Sequence, residues 1–144
     1  MIGKLAERAA RDLLATQNTG RLACCWQNEP YVVPVHYLFE GDSVYVHSLP
    51  GRKIKMLRAN PRACLQVDAI EDDYHWRSVI AYGNYEEITA EDEYDFWLSK
   101  LYRELTHLSP VESMVPKGLS HNPPRCIVFR LRLTEVSGVF EKWV

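Results

Sequence analysis

Residues 31–60, YVVPVHYLFEGDSVYVHSLPGRKIKMLRAN, constrain the fold more than any other stretch of the chain. Two apolar runs, residues 31–39 and 43–48, flank Glu40-Gly41-Asp42. A short loop, Leu49-Pro50-Gly51, then leads into a basic segment, residues 52–58, with helical spacing. The pattern predicts a β-hairpin that runs directly into a helix. Gly41-Asp42 suits a two-residue turn with glycine first, a type II′ pattern. In that register Glu40 pairs with Ser43, and His36 faces His47 further along. The junction collects a hydroxyl (Ser48), a glycine (Gly51) and two cations (Arg52 and Lys53). Backbone N–H donors at a helix start, joined by cations, suit a phosphate group. Cations there oppose the helix dipole, so an anion would offset them; the plainer alternative is a pair of solvated helix-start residues.

The apolar character of residues 31–39 implies burial on both faces or a barrel wall. Pro34 removes one ladder N–H, which marks an edge, a bulge, or a place where a ligand lies against the backbone. Upstream, residues 4–16 carry an apolar stripe through Leu5, Ala9 and Leu13 and read as a helix. Residues 21–27 read as a strand, closed by a turn at Asn28-Glu29-Pro30. Downstream, residues 62–68 form a strand with Gln66 polar among apolar neighbours, and residues 69–73 form an acidic loop. Residues 74–88 make a long strand in which Gly83 marks a bulge or bend. Thr89 N-caps a helix reaching to about residue 106. Residues 109–124, with four prolines, are irregular, and residues 125–135 alternate apolar and basic side chains as a strand that residues 139–144 continue. Six mostly antiparallel strands and three helices, ordered α β β β α β β α β, predict an α+β fold. The architecture is a six-stranded antiparallel split β-barrel with flanking helices, in one domain spanning residues 1–144.

Composition narrows the function. A net charge of −2 gives no long-range pull toward nucleic acid or anionic membrane. The cations of residues 52–58 are local, which favours a small anion over a polymer. No apolar run approaches the roughly 20 residues needed to span a bilayer. Met1-Ile2-Gly3-Lys4 leads into an amphipathic helix carrying acids, unlike a signal peptide. The four cysteines (24, 25, 64 and 126) form no C-x-x-C pair and read as core thiols of a reducing cytoplasm. His36 and His47 could begin a metal site, but no third ligand stands at a fixed spacing, so no metal is expected. They read instead as cavity-lining or core imidazoles. Trp76 and Trp97 read as packing residues.

Taken together and in order, GRLA at 20–23, PYVVPVHY at 30–37, VYVHS at 44–48, GRKI at 51–54, LRANPRACLQVD at 57–68 and WRSVIAYG at 76–83 resemble one known family. It is the FMN-binding split barrel of the pyridoxamine 5′-phosphate oxidase-like superfamily, nearest the branch that includes nitroimidazole-resistance proteins. The resemblance covers residues 20–90, and residues 47–67 are its most specific part. It implies a homodimer with two FMN molecules at the subunit interface. Arg52 and Lys53 would hold the phosphate, with Ser48 near the phosphate or ribityl chain. Val33, Pro34, Val35 and His36 would line the isoalloxazine edge, and Gln66 would reach the ribityl chain or ring. A second subunit would add residues such as Trp76, Arg77 and the segment 114–117. His47 or His36 would be the proton donor or stacking wall, and thus the catalytic candidates.

The implied activity is that of an FMN-dependent oxidoreductase acting on a small planar substrate such as a nitroaromatic, with NADH or NADPH as a possible donor. The resemblance leaves two alternatives: a non-catalytic flavin store or sensor, and a haem-binding member of the same fold, for which His47 is the available ligand. It departs in one respect. Pyridoxamine phosphate oxidases carry a C-terminal region whose Arg and His grip the substrate phosphate, and this sequence shows no equivalent up to Val144. Vitamin B6 oxidation is therefore not implied.

Overall fold

The structure, a computed structural model, describes residues 1–105 and 125–143. Its elements are β1 (Ile2–Lys4), α1 (Glu7–Thr16), β2 (Thr19–Trp26), β3 (Glu29–His36), β4 (Leu38–Glu40), β5 (Ser43–Ser48), α2 (Arg52–Ala59), β6 (Arg62–Asp72), β7 (His75–Glu87), α3 (Glu91–Leu105) and β8 (Ile127–Lys142). Every strand pair is antiparallel, in the order β3-β2-β6-β7-β8-β5-β4, with β1 paired to β8. The α+β class is as expected, and so are the three helices among the described residues.

The strand count is not: the described residues form eight strands rather than six. One added strand comes from division of the apolar run at Tyr37. Strands β3 and β4 occupy opposite edges of the sheet, yet only Tyr37 separates them in sequence. The chain therefore passes from one edge to the other and curls the sheet toward closure, which shields edge groups from water. The bend is held by Tyr37, whose N–H donates to Asn18 O at 2.9 Å and whose buried hydroxyl donates to Leu14 O at 2.6 Å. The other added strand is β1, in residues expected only to lead into the helix starting at Lys4. Strand β5 pairs only the first half of the 16-residue β8, through Arg132, and β1 covers Val139–Glu141 on the same side. The backbone groups β5 is too short to reach are thus satisfied. Gly3 permits this approach, since a Cβ there would stand 2.8 Å from the Phe140 ring.

Three local expectations are also corrected. The β2–β3 turn falls on Gln27 and Asn28, with φ of 53° and 63°, not on Asn28-Glu29-Pro30. Two positive φ values give the type I′ turn whose twist suits a hairpin. Residues 69–73 are not an acidic loop. Strand β6 runs to Asp72, and its carboxylate accepts the Tyr74 N–H at 2.8 Å to make a tight turn into β7. Finally, the register Glu40↔Ser43 is present, but it ends at Leu38↔Tyr45. His36 pairs with Thr19 and His47 with Val128, so the two imidazoles are not ladder partners. At the β4–β5 turn only Gly41 has positive φ (64°), as the type II′ pattern requires. Gly83 sits at a bulge: the β7–β8 register shifts there, and a Cβ would lie 2.8 Å from the Arg132 carbonyl carbon.

Two cores result. The inner faces of the strands, with Leu22, Leu65, Val67, Val79 and Phe129, enclose one apolar cluster that α1 (Leu13, Leu14) and α2 (Ile54, Met56, Leu57) complete. Helix α3 packs Trp97, Leu101 and Leu105 on the outer side of β4, β5 and β8, against Leu38, Tyr45 and Val128. Tyr45 and Trp97 stack with centroids 3.5 Å apart. Among the described residues, no helix covers the outer face of β3-β2-β6-β7, and none is long and apolar enough to cross a membrane.

Candidate functional site

The loop from Ser48 to Arg52 forms because β5 must leave the sheet while α2 must bury Ile54, Met56 and Leu57 in the main core. Asn60 locks the far end of α2, donating from Nδ2 to Cys25 O at 2.7 Å. The helix start is bare. Gly51 occupies the N-cap position without a side-chain cap, no acid stands in the first turn, and a Cβ on Gly51 would meet nothing within 4 Å. Its first N–H groups have no side-chain cap, the condition in which a helix N-terminus can take an anion.

Arg52 and Lys53 stand at this opening. The Arg52 guanidinium lies 4.8 Å from the Tyr31 ring centroid, an aromatic shelf that orients it. Lys53 is turned inward, and burial lowers its pKa while the nearby Cys24 and Cys126 thiols act the other way. The ion pairs of the described residues use neither Arg52 nor Lys53. A half-buried ammonium without a carboxylate fits an anionic ligand. Ser48 is buried beside them, but its hydroxyl donates to Leu49 O at 2.8 Å.

His47, on β5, faces the same region. Burial, then the charges of His36 and Lys53, push its pKa down to about 4. The imidazole is neutral near pH 7, and its buried Nδ1 has no partner among the described residues. Its ring meets Tyr102 edge-on at 5.3 Å. His36 shares a hydrogen bond with Thr19 Oγ1 at 3.1 Å.

Val33, Pro34, Val35 and His36 lie on the edge strand β3. Val35 points into the core, whereas Pro34 is exposed beside Arg21, so the proline sits where a missing N–H breaks no inner ladder. Gln66 lies one strand further along the same outer row, in the register Pro34↔Arg21↔Gln66. Its Nε2 donates to Asp68 Oδ2 at 3.1 Å and to Ser78 Oγ at 3.0 Å, and Arg21 grips the same Asp68 oxygen at 3.1 Å. Because a carboxylate only accepts, the amide nitrogen must face Asp68, leaving the Gln66 carbonyl unspent.

Trp76 and Arg77 are not brought to this place. They sit at the β6–β7 tip around a cavity of about 430 Å³ with Leu5 and Phe140. Trp76 donates Nε1–H to Glu141 Oε2 at 2.8 Å. Glu141 lies 14 residues along β8 from Ile127, the partner of Ser48. That is up to ~46 Å of extended strand. The segment 114–117 lies outside the described residues.

Sequence reasoning missed Tyr31 and Tyr102. Tyr31 had a signal, since it opens the apolar run two strands from the cations. Tyr102 had none, because contact with His47 depends on how α3 docks.

A family model described as pyridoxamine 5′-phosphate oxidase matches residues 6–139. The crystal structure of a FAD-binding protein from Mesorhizobium loti is 31% identical, covers 99% of both chains and superposes with a TM-score of 0.81. A candidate 5-nitroimidazole antibiotic resistance protein from Bacteroides thetaiotaomicron shares the fold, with a TM-score of 0.70 at 20% identity over 97% of this chain and 89% of that one. Among curated proteins, an uncharacterized protein of Rhizobium meliloti (strain 1021) is 35% identical over 86 residues, which spans 60% of this chain and 57% of the relative.

Proposed function

The chain belongs to the pyridoxamine 5′-phosphate oxidase family, and from that premise we propose that it binds a flavin nucleotide and works as a flavin-dependent oxidoreductase. The observation that carries the reading is the bare start of α2. There an open Gly51, uncapped N–H groups, Arg52 and a half-buried Lys53 meet, and among the described residues no carboxylate pairs with these cations. The donor set fits the phosphate that FMN and FAD share, and the Mesorhizobium loti relative is described as FAD-binding. When bound, the flavin supplies the redox chemistry, carrying electrons from a donor such as NADH or NADPH to a small planar acceptor.

The residues of this chain bind and orient. Arg52 and Lys53 hold the phosphate. The unspent carbonyl of Gln66 accepts a hydrogen bond from the ligand, and the β3 segment from Val33 to His36 lies along the ring. His47, neutral above pH ~5 given its pKa of about 4, serves as a hydrogen-bonding wall at Nδ1 and not as a cationic acid.

We take the working unit to be a homodimer. The outer face of β3-β2-β6-β7 carries Val32 (64% exposed), Tyr82 (37%) and the intervening Ala23 and Cys64, with no helix over it among the described residues. The same face carries the Arg21–Asp68 pair and Gln66, so it is a mixed apolar and polar surface of the kind a second copy can cover. A second copy also accounts for Trp76 and Arg77, too far along β8 to serve their own chain's α2. The four free thiols fit a reducing cytoplasm.

The test is the visible spectrum of the purified protein, repeated for the Arg52→Ala/Lys53→Ala variant. Flavin bands should be present in the first and lost in the second, with affinity down about a hundredfold or more, since charge-assisted bonds contribute about 1.5–3 kcal/mol each. A double variant that keeps stoichiometric flavin would refute the assignment.

A further inference from the structure

We propose that the imidazolium of His75 is a pH-sensitive latch, tying Trp143 to the β6–β7 turn and fixing one wall of the cavity there until its proton is lost. The hydrogen bonds demand the charge. His75 Nδ1–H donates to Asp72, 2.8 Å from Oδ1 and 3.0 Å from Oδ2, and Nε2–H donates to Trp143 O. A carboxylate and a carbonyl only accept, so both ring nitrogens must carry a hydrogen. Neutral imidazole has one N–H and can keep only one of the two partners. The bond to the charged carboxylate is the stronger and is kept. The Trp143 carbonyl is then left facing a lone pair, and the tie is broken.

A second set of bonds carries the latch into the cavity wall. Trp143 donates its indole N–H to Glu141 Oε1 at 2.6 Å, and Trp76 donates its own to Oε2 of the same carboxylate at 2.8 Å. His75 precedes Trp76 on β7 and pairs across the ladder with Lys142 of β8. His75, Trp76, Glu141 and Lys142 all line the cavity of about 430 Å³, with Leu5 and Phe140 as apolar lining. The framework around them is held independently. Asp72 accepts the Tyr74 N–H at 2.8 Å, and the Lys142 N–H donates to Met1 O at 2.9 Å. The turn and the strand therefore stay in place when the latch opens. The part that moves is Trp143, together with its hold on Glu141.

Charges of both signs face the ring. Asp72 and Glu71 come from β6, with Asp73 in the turn beside them. Glu141 and Lys142 come from β8 and Arg77 from β7, and the Met1 ammonium donates to Lys142 O at 3.0 Å. The bond to Asp72, then the bond to the Trp143 carbonyl, raise the His75 pKa above its ordinary 6.5. The latch is thus closed below pH 6.5 and opens as pH rises through the higher folded value. The same tip carries Trp76 and Arg77, which the assembly proposed above brings toward a partner's α2. A pH-sensitive element in that assembly is a consequence that rests on it; the latch itself does not.

The experiment uses the full chain, labelled with nitrogen-15 and titrated by NMR from mildly acid to mildly alkaline pH. The imidazole nitrogens report the proton on His75, and the indole N–H signals of Trp76 and Trp143 report the wall. All three should move with one midpoint, above pH 6.5. In His75→Gln the two indole signals should cease to titrate. Below pH 6.5 the Trp143 indole N–H of that variant should exchange with solvent about tenfold faster than in the wild type, as loss of one hydrogen bond implies. Above the midpoint the two rates should agree. Asp72→Asn keeps the imidazole and removes the charge beside it, so the His75 midpoint should fall toward the ordinary value. This second variant carries the test if the glutamine disturbs the tip. A His75 midpoint at or below 6.5 in the wild type would overturn the proposal. So would indole signals that ignore His75, or that still titrate in His75→Gln, or a midpoint that stays high in Asp72→Asn.

Discussion

At the scale of single residues, His47 is the most informative. Its folded pKa of about 4 lies below the ordinary 6.5 because burial disfavours the imidazolium. Between those values the unfolded chain binds a proton that the folded chain does not, so stability falls as pH drops through that window. The full loss approaches about 3 kcal/mol at most. Thermal unfolding from pH 7 to 4 should therefore show a steeper decline for the wild type than for His47→Asn; parallel curves would contradict it. Gly83 makes a different demand. A methyl group there meets the Arg132 backbone at the bulge, and backbone cannot swing aside. Gly83→Ala should destabilise by about 1–3 kcal/mol, read as a lower denaturation midpoint in urea. Gly51, by contrast, faces open space, and alanine there should cost the fold little.

At the scale of elements, the passage from β3 to β4 governs the barrel. One residue, Tyr37, carries the chain between opposite sheet edges, and its hydroxyl joins that bend to the last turn of α1 through Leu14. Tyr37→Phe leaves a buried carbonyl unpaired and should lower stability by about 1–3 kcal/mol, measured by equilibrium unfolding. Helix α2 is the other decisive element. Its apolar side is fixed by the core, so Gly51, Arg52, Lys55 and Arg58 are left on its exposed side. Sequence spacing revealed the helix and its cations. It could not reveal that Lys53 turns inward toward Cys24 and Cys126 while Arg52 rests on Tyr31, because both follow from strands distant in sequence.

At the scale of the whole molecule, the uncovered outer face of β3-β2-β6-β7 sets the assembly we propose. Ile80 lies near its middle, in the row Arg21↔Gln66↔Ile80. Ile80→Glu would place a charge in a desolvated interface, so light scattering should report a monomer, with flavin lost alongside. A variant that stays dimeric and yellow would remove this face from the site. The same view explains Trp76 and Arg77. Within one chain they line a separate cavity, and the assembly we propose would bring a partner's copy of them toward α2.

The order of apolar runs, turn residues and cations by itself determined the antiparallel α+β barrel, the hairpin-to-helix junction and the clustering of cations at that junction. These features are local, set by periodicity, by the φ > 0 demand of Gly41 and by charge spacing. Tertiary structure alone decided that residues 31–39 divide at Tyr37, that residues 2–4 become a strand on β8, that His36 and His47 are not ladder partners, and that Tyr31 meets Arg52 and Tyr102 meets His47. The physical reason is common to all four. Each depends on pairing or docking between segments far apart in the chain, where backbone groups take whichever partner closure of the sheet supplies.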